Sequence, residues 1–168
     1  TDITESYEIG DTLPFSTDDS AFFPVCFVRG TLLETARGLV AIEDIQSGDR
    51  VRGSSGLRTV IWIGWRHYGP FSLRTADQRV RSAPIRIGKH ALAENQPGQD
   101  LLVSPWHHVF VDGMLVRAND LLNGTTITQE MSVNSVDYYH VELDQFDIIL
   151  AHGVYSESWA DGGNRDFF

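Results

Sequence analysis

The sequence predicts an all-β domain, and three observations carry that prediction. Apolar residues come in short runs, glycine-bearing turns separate the runs, and no helical pattern outlasts a single turn. In chain order, residues 1–25 hold Asp2, Glu5, Glu8, Asp11, Asp18 and Asp19 and no Lys or Arg. With Gly10-Asp11, Pro14 and a Ser/Thr/Asp run at 16–20, residues 1–20 read as a loosely held acidic arm. The apolar residues 21–25 are where it is expected to dock. From Cys26 onward the pattern is β. Residues 31–35 form a strand ending at the turn 36–38, and residues 60–63 form a short strand between Gly56 and Gly64. Strands at 101–103 and 109–111 flank a histidine pair, and Asp112-Gly113 is a strong hairpin turn. Two further strands lie at 141–143 and 148–150. One-turn helices are expected at 42–45 and 118–121, with a further helical piece at 90–92.

Composition bounds the function. The 168 residues are 42% hydrophobic and 21% charged, a globular profile. Acids outnumber bases 23 to 13, for a net charge of -10, with no basic cluster. Nucleic acid and anionic membranes are therefore poor partners. The single cysteine, Cys26, excludes an internal disulfide and a CxxC zinc knuckle. No apolar run reaches the ~18 residues of a spanning helix. No signal peptide is visible, and a chain opening on Thr1 without Met is read as a processed piece of a longer protein.

An internal repeat organises the β region. Residues 39–51 align with 115–127 at a constant offset of 76, with Leu, Val, Asp and Gly recurring identically at four of 13 positions. A hairpin arm, a one-turn helix and a glycine turn, used twice, imply a pseudo-twofold domain.

Several residues carry chemistry. Cys26 lies at the junction of arm and β region; a lone cysteine also commonly serves as a small buried hydrophobe. In Ser104-Pro105-Trp106-His107-His108 the two histidines point to opposite faces if the segment is extended, so at most one shares a site with Ser104. Histidine is the natural proton carrier near neutral pH, whereas His108 is expected to be solvated or packed. Asp144 and Asp147 lie between two apolar strands and could take a proton from a thiol or simply serve a turn. His140 and Glu142 make a further polar pair on one strand face. A zinc site from Cys26, His107, His108 and His140 lacks ligand spacing. There is no nucleophile elbow and no phosphate-binding glycine loop.

The block from Cys26 through Thr35, then Gly38 and 40–51, resembles the N-terminal block of Hint domains, the autoprocessing modules of Hedgehog proteins and inteins, most closely the bacterial intein-like group. Trp62-Ile63-Gly64, Ser104-x-x-His107 and Glu157-Ser158-Trp159 with Asn164-Arg165 fit the same group. The resemblance spans about residues 26–166. It implies a horseshoe-like, pseudo-twofold Hint fold over 26–168, with 1–25 as the flanking segment. It also implies an N-to-S acyl shift in which Cys26 attacks the carbonyl of Val25. By resemblance, His107 protonates the leaving nitrogen and Ser104 holds the scissile peptide. Asp144 activates the nucleophile, with Asp147 as its alternate and Asp147 and His140 as supporting residues. Glu157 and Ser158 stand where splicing inteins carry His and Asn. Ser158 has no amide with which to cyclise, so cleavage without full splicing is expected. The thioester would be resolved by water, a thiol or another nucleophile. No cofactor and no metal are expected. The substrate is the chain's own flanking segment, the acceptor is open, and a monomer is expected. The alternative is a catalytically silent Hint-fold interaction module, with Trp106, Trp159, Phe167 and Phe168 as a contact patch.

Overall fold

The computed structural model describes residues 25–159, and both 1–24, with nearly all of the acidic arm and its docking run, and 160–168 lie outside them. The described residues form β1 (Phe27–Val28), β2 (Leu32–Thr35), β3 (Gly38–Ala41), β4 (Arg50–Gly53), β5 (Gly56–Tyr68), β6 (Ile85–Ile87), β7 (Leu101–Val103), β8 (His108–Val111), β9 (Met114–Arg117), β10 (Ile127–Gln129), β11 (Val136–Leu143), β12 (Ile148–Ala151) and β13 (Val154–Glu157). They pair in the order β10-β6-β7-β1-β11-β5-β4-β2-β12-β13-β8-β9, with β3 on β2. The fold is all-β and antiparallel, as the alternation of short apolar runs and turns predicts.

The repeat read from the sequence is a repeat of structure. Hairpin β2–β3 pairs Leu32 with Ala41 and Thr35 with Gly38. Hairpin β8–β9 pairs His108 with Arg117 and Val111 with Met114, each residue 76 positions later. A 3-10 turn follows each hairpin, at Ile42–Asp44 and Ala118–Leu121. Even the anchoring bonds correspond: Ile42 N–H donates to the Thr31 carbonyl at 2.8 Å, and Ala118 N–H to the His107 carbonyl at 2.9 Å. Asp112-Gly113 makes the second hairpin's turn with both φ values positive, the conformation that a two-residue turn matching strand twist requires.

Several elements differ from the sequence reading; the strand expected at 141–143, for one, runs over Val136–Leu143. The strand expected at 60–63 is the 13-residue β5, because β11 pairs with it from Val136↔Tyr68 to Leu143↔Val60. Gly64 sits inside that ladder, opposite His140, and does not end it. Helix α1 (Ala76–Ser82) was not expected; it buries no residue, so it lacks the apolar stripe that periodicity detects. Its signal is the capping box of Thr75 and Gln78, whose side chains bond each other's backbone N–H. Residues 90–92 are not helical and belong to a loop in which His90 N–H bonds the Pro97 carbonyl.

The main core gathers Phe27, Leu33, Val51, Ile85, Leu101 and other side chains from both repeats. A smaller cluster of Cys26, Leu73, Ala83, Val136 and Tyr138 lies beside it. Asp147 is a buried structural pin. Its carboxylate accepts from the hydroxyls of Ser54 (2.5 Å) and Ser55 (2.6 Å), from the Ser54 and Ser55 amides, and from Arg58 Nε at 3.3 Å. It thereby fastens the β4–β5 turn to the start of β12. A Cβ on Gly53 would lie 2.4 Å from Asp147 Oδ2, so only glycine fits there. Burial opposes ionisation of Asp147, but the Ser54 and Ser55 hydrogen bonds outweigh it and hold the carboxyl well below the usual range. A depressed carboxyl stabilises the fold above the unfolded-state value near ~3.9 and stops doing so as pH falls through its folded value. Asp147→Ala should therefore lower the unfolding free energy by about 2–3 kcal/mol at pH 7. Urea denaturation should show the gap from wild type narrowing below about pH 4; a gap independent of pH would contradict this role.

Candidate functional site

The site is built on a turn. β7 ends at Val103, and Pro105, with its fixed φ, occupies the second position of a four-residue turn. His107 N–H closes the turn on the Ser104 carbonyl at 3.1 Å. Ser-x-x-His is thus the spacing that puts the first and fourth residues of one turn side by side. The second repeat's 3-10 turn braces it, through Ala118 N–H to the His107 carbonyl and Asn119 N–H to the Pro105 carbonyl, both 2.9 Å.

β1 brings Cys26 to this turn. Phe27 pairs with Val103 on one side and Tyr139 on the other, which carries Cys26 alongside Ser104. Two bonds follow: Cys26 N–H donates to Ser104 Oγ at 2.9 Å, and Ser104 N–H donates to the Cys26 carbonyl at 2.9 Å. The first of these N–H groups belongs to the Val25–Cys26 peptide.

His107 is fully buried, with its ring 4.5 Å from that of Phe27. Burial is the main cause that pushes its pKa down to about 3, aided by the charge of His108 and opposed by the Val25 carbonyl. That carbonyl is a neighbour of the ring, not a formed bond, for neither ring nitrogen reaches hydrogen-bond geometry. His107 is therefore a neutral imidazole at pH 7. His140, also buried, is pushed well below the usual histidine range by burial and by His107. Its ring and that of Trp159 meet in a T-shaped contact with centroids 4.4 Å apart, and the Trp159 backbone N–H donates to the Val141 carbonyl at 2.8 Å. The far end of the described chain thus reaches the same neighbourhood as its start.

The structure therefore gathers Val25, Cys26, Ser104 and His107, with His140 beside them. It places Asp144 in the exposed turn after β11, where its carboxylate accepts from Gln145 N–H at 3.0 Å. Asp147 is engaged by the β4–β5 turn. His108 and Glu157 pair with each other: Glu157 Oε1 accepts from His108 N–H at 2.7 Å and lies 2.6 Å from Nδ1. Ser158 N–H bonds the Asp147 carbonyl at 3.3 Å. Among the described residues no three His, Cys, Asp or Glu side chains converge as a metal site. No helix there is long and apolar enough to cross a membrane.

Sequence reasoning missed one neighbour of the thiol. Burial pushes the Cys26 thiol well up, and the Arg66 guanidinium opposes that shift. Arg66 lies mid-strand in β5, among alternating residues that carry no motif, and only the β5–β11 register brings it close.

Comparison with known proteins decides the family. The sequence profile of the Hint domain matches residues 25–163. The chain belongs to the Hint domain family. The bacterial intein-like domain from Clostridium thermocellum superposes with a TM-score of 0.59 at 19% identity, covering 81% of this chain and 99% of that one. The gp41-1 intein matches with a TM-score of 0.54 at 14% identity, over 78% of this chain and 96% of that one. The MchDnaB-1 intein matches with 0.53 at 16%, over 79% and 99%. At these identities the likeness is one of fold. No curated protein matches.

The buried histidines should make the Hint domain acid-sensitive. A histidine held below its ordinary value stabilises the fold above the unfolded-state pKa near ~6.5, and that contribution is lost as pH falls toward the folded value. Unfolding free energy measured in urea should drop between pH 7 and pH 5, and His107→Gln should reduce the drop. Equal slopes for variant and wild type would contradict the assignment of a neutral, buried His107.

Proposed function

We propose that this Hint domain cleaves its own chain at the Val25–Cys26 peptide bond, with residues 1–25 as the substrate segment and 26–168 as the processing domain. The observation that carries the reading is the placement of one peptide between two side chains: its N–H on Ser104 Oγ, its carbonyl beside the His107 ring.

A thiolate is the strong nucleophile, and an amide nitrogen leaves only when protonated. Because His107 rests neutral, it must acquire a proton before it can give one, and the Cys26 thiol is the source at hand. The thiol passes its proton to the imidazole, and Sγ attacks the Val25 carbonyl carbon. As the carbon–nitrogen bond breaks, the imidazolium returns that proton to the Cys26 nitrogen. A thioester and a free amine result, with no net proton taken from solvent. Ser104 holds the leaving nitrogen in place by accepting from its N–H. His140 and Trp159 keep water from the imidazole. Water, a thiol or another nucleophile then resolves the thioester. Asp144 has no part in this sequence, and Asp147 acts through the fold.

Cleavage stops short of splicing in this reading. Ser158 cannot cyclise, and Glu157 is committed to His108. The burial of the thiol favours the second reading, a silent interaction module, and one experiment separates the two. Incubation with dithiothreitol should release a 25-residue peptide from wild type and none from Cys26→Ala, as read by intact mass. His107→Ala should slow release by ~10²-fold or more, and Ser104→Ala by about tenfold. A wild-type chain that stays intact at high thiol would establish the silent module.

A further inference from the structure

We propose that Arg66 makes the buried Cys26 thiolate attainable, serving as the positioning residue for the nucleophile of the cleavage reaction; this rests on the reading of the site given above. Strand register brings the two residues together. Val28 pairs with Tyr138, and Tyr138 pairs with Arg66. Directly opposed residues share a sheet face, and alternate residues along a strand share it too. Cys26, two positions before Val28, and Tyr68, two after Arg66, therefore belong to one face with Tyr138. The packing agrees. Cys26 and Tyr138 lie in a single buried cluster, and Tyr68 packs against it.

Within that cluster the Arg66 guanidinium lies 5.2 Å from the centre of the Tyr68 ring, close enough for a cation–π contact. The two tyrosine rings meet edge to face at 5.6 Å, and Tyr138 is anchored by its hydroxyl, which donates to the Ser82 carbonyl at 2.7 Å. Tyr138 supports Tyr68, and Tyr68 supports the guanidinium, so the cation is held by an edge-to-face pair of rings at the rim of the cluster.

Among the described residues the other groups around the thiol carry no fixed charge. Leu73, Ala83 and Val136 are apolar. Tyr68 and Tyr138 are neutral at pH 7: burial is the main cause that raises both, with a smaller push from Cys26, and Tyr68 is pushed up to about 12 against the opposing charge of Arg66. From the turn, Ser104 is neutral, and His107 is neutral until it takes a proton. A thiolate formed here has lost its water, and a positive charge held nearby offsets part of that loss. Among the described residues Arg66 is the cation that acts on it, and the guanidinium keeps its charge at any working pH. The same rings that exclude water raise the thiol's proton affinity, so the site holds its nucleophile protonated until proton transfer to His107. Arg66 sets how costly that transfer is.

The test uses the fact that Cys26 is the sole cysteine. With 13C-labelled cysteine, the Cβ chemical shift followed against pH reports one thiol, whether or not the chain cleaves. Cys26 in Arg66→Met should titrate at least one pH unit above wild type, and Arg66→Lys should restore most of the difference. Should Arg66→Met fail to fold, Arg66→Gln makes the same neutral comparison. The plateau rate of thiol-induced cleavage should fall about tenfold per unit of that shift. An unchanged titration midpoint in the neutral variant would overturn the proposal even if wild type cleaves. If wild type does not cleave but the midpoint shifts as expected, the cleavage reading fails while the assignment of Arg66 to the thiol stands.

Discussion

Cys26 and Ser104 exchange two hydrogen bonds, each giving an N–H and taking an oxygen, and the rest of the site depends on that exchange. A bond pair of this kind fixes both position and direction. It sets the Val25–Cys26 peptide against the start of a turn whose fourth residue is His107. Slippage of β1 by one residue would turn every side chain to the other face and leave the peptide opposite nothing useful. The flanking pairs Phe27↔Val103, in the main core, and Phe27↔Tyr139, whose tyrosine packs against it, prevent that slip. The hydrophobic core thus acts at the site by holding register.

Burial shapes the chemistry as much as geometry does. Cys26, His107 and His140 are all removed from water, and each is thereby biased toward its uncharged form. A resting site of thiol and neutral imidazole carries no charge to be wasted on solvation. On the cleavage proposed for this site, charge would appear only during proton transfer, as a thiolate and imidazolium pair. The cost of forming that pair would be the barrier that keeps the nucleophile from cleaving at once, and the fixed guanidinium of Arg66 would be the group that lowers it.

Much of this was legible in the sequence, for identifiable reasons. The all-β class followed from short apolar runs between turns, and the 76-residue repeat from side chains that occupy corresponding places in two hairpins. Ser104 and His107 were legible because a proline turn makes their spacing a contact. Asp144 was chosen from its position between apolar strands, yet a turn offers a carboxylate local amides to cap, and there it stays. Asp147, its alternate, answers to the Ser54-Ser55 turn some 90 residues earlier, a long-range pairing that no local pattern announces. Arg66 was illegible for the same reason: its relation to Cys26 exists only through the registers of β1 on β11 and β11 on β5. Helix α1 escaped because it buries no face, although its capping box was there to be read.

The most direct measurement is to trap the acyl group. In this account the carbonyl of Val25 passes from nitrogen to sulfur, so hydroxylamine should intercept it as a thioester. Tandem mass spectrometry of the released peptide should find a hydroxamate on the carboxyl terminus of Val25 and nowhere else. A released peptide with a plain carboxylate even at saturating hydroxylamine, or cleavage at any other bond, would contradict attack by Cys26 on Val25.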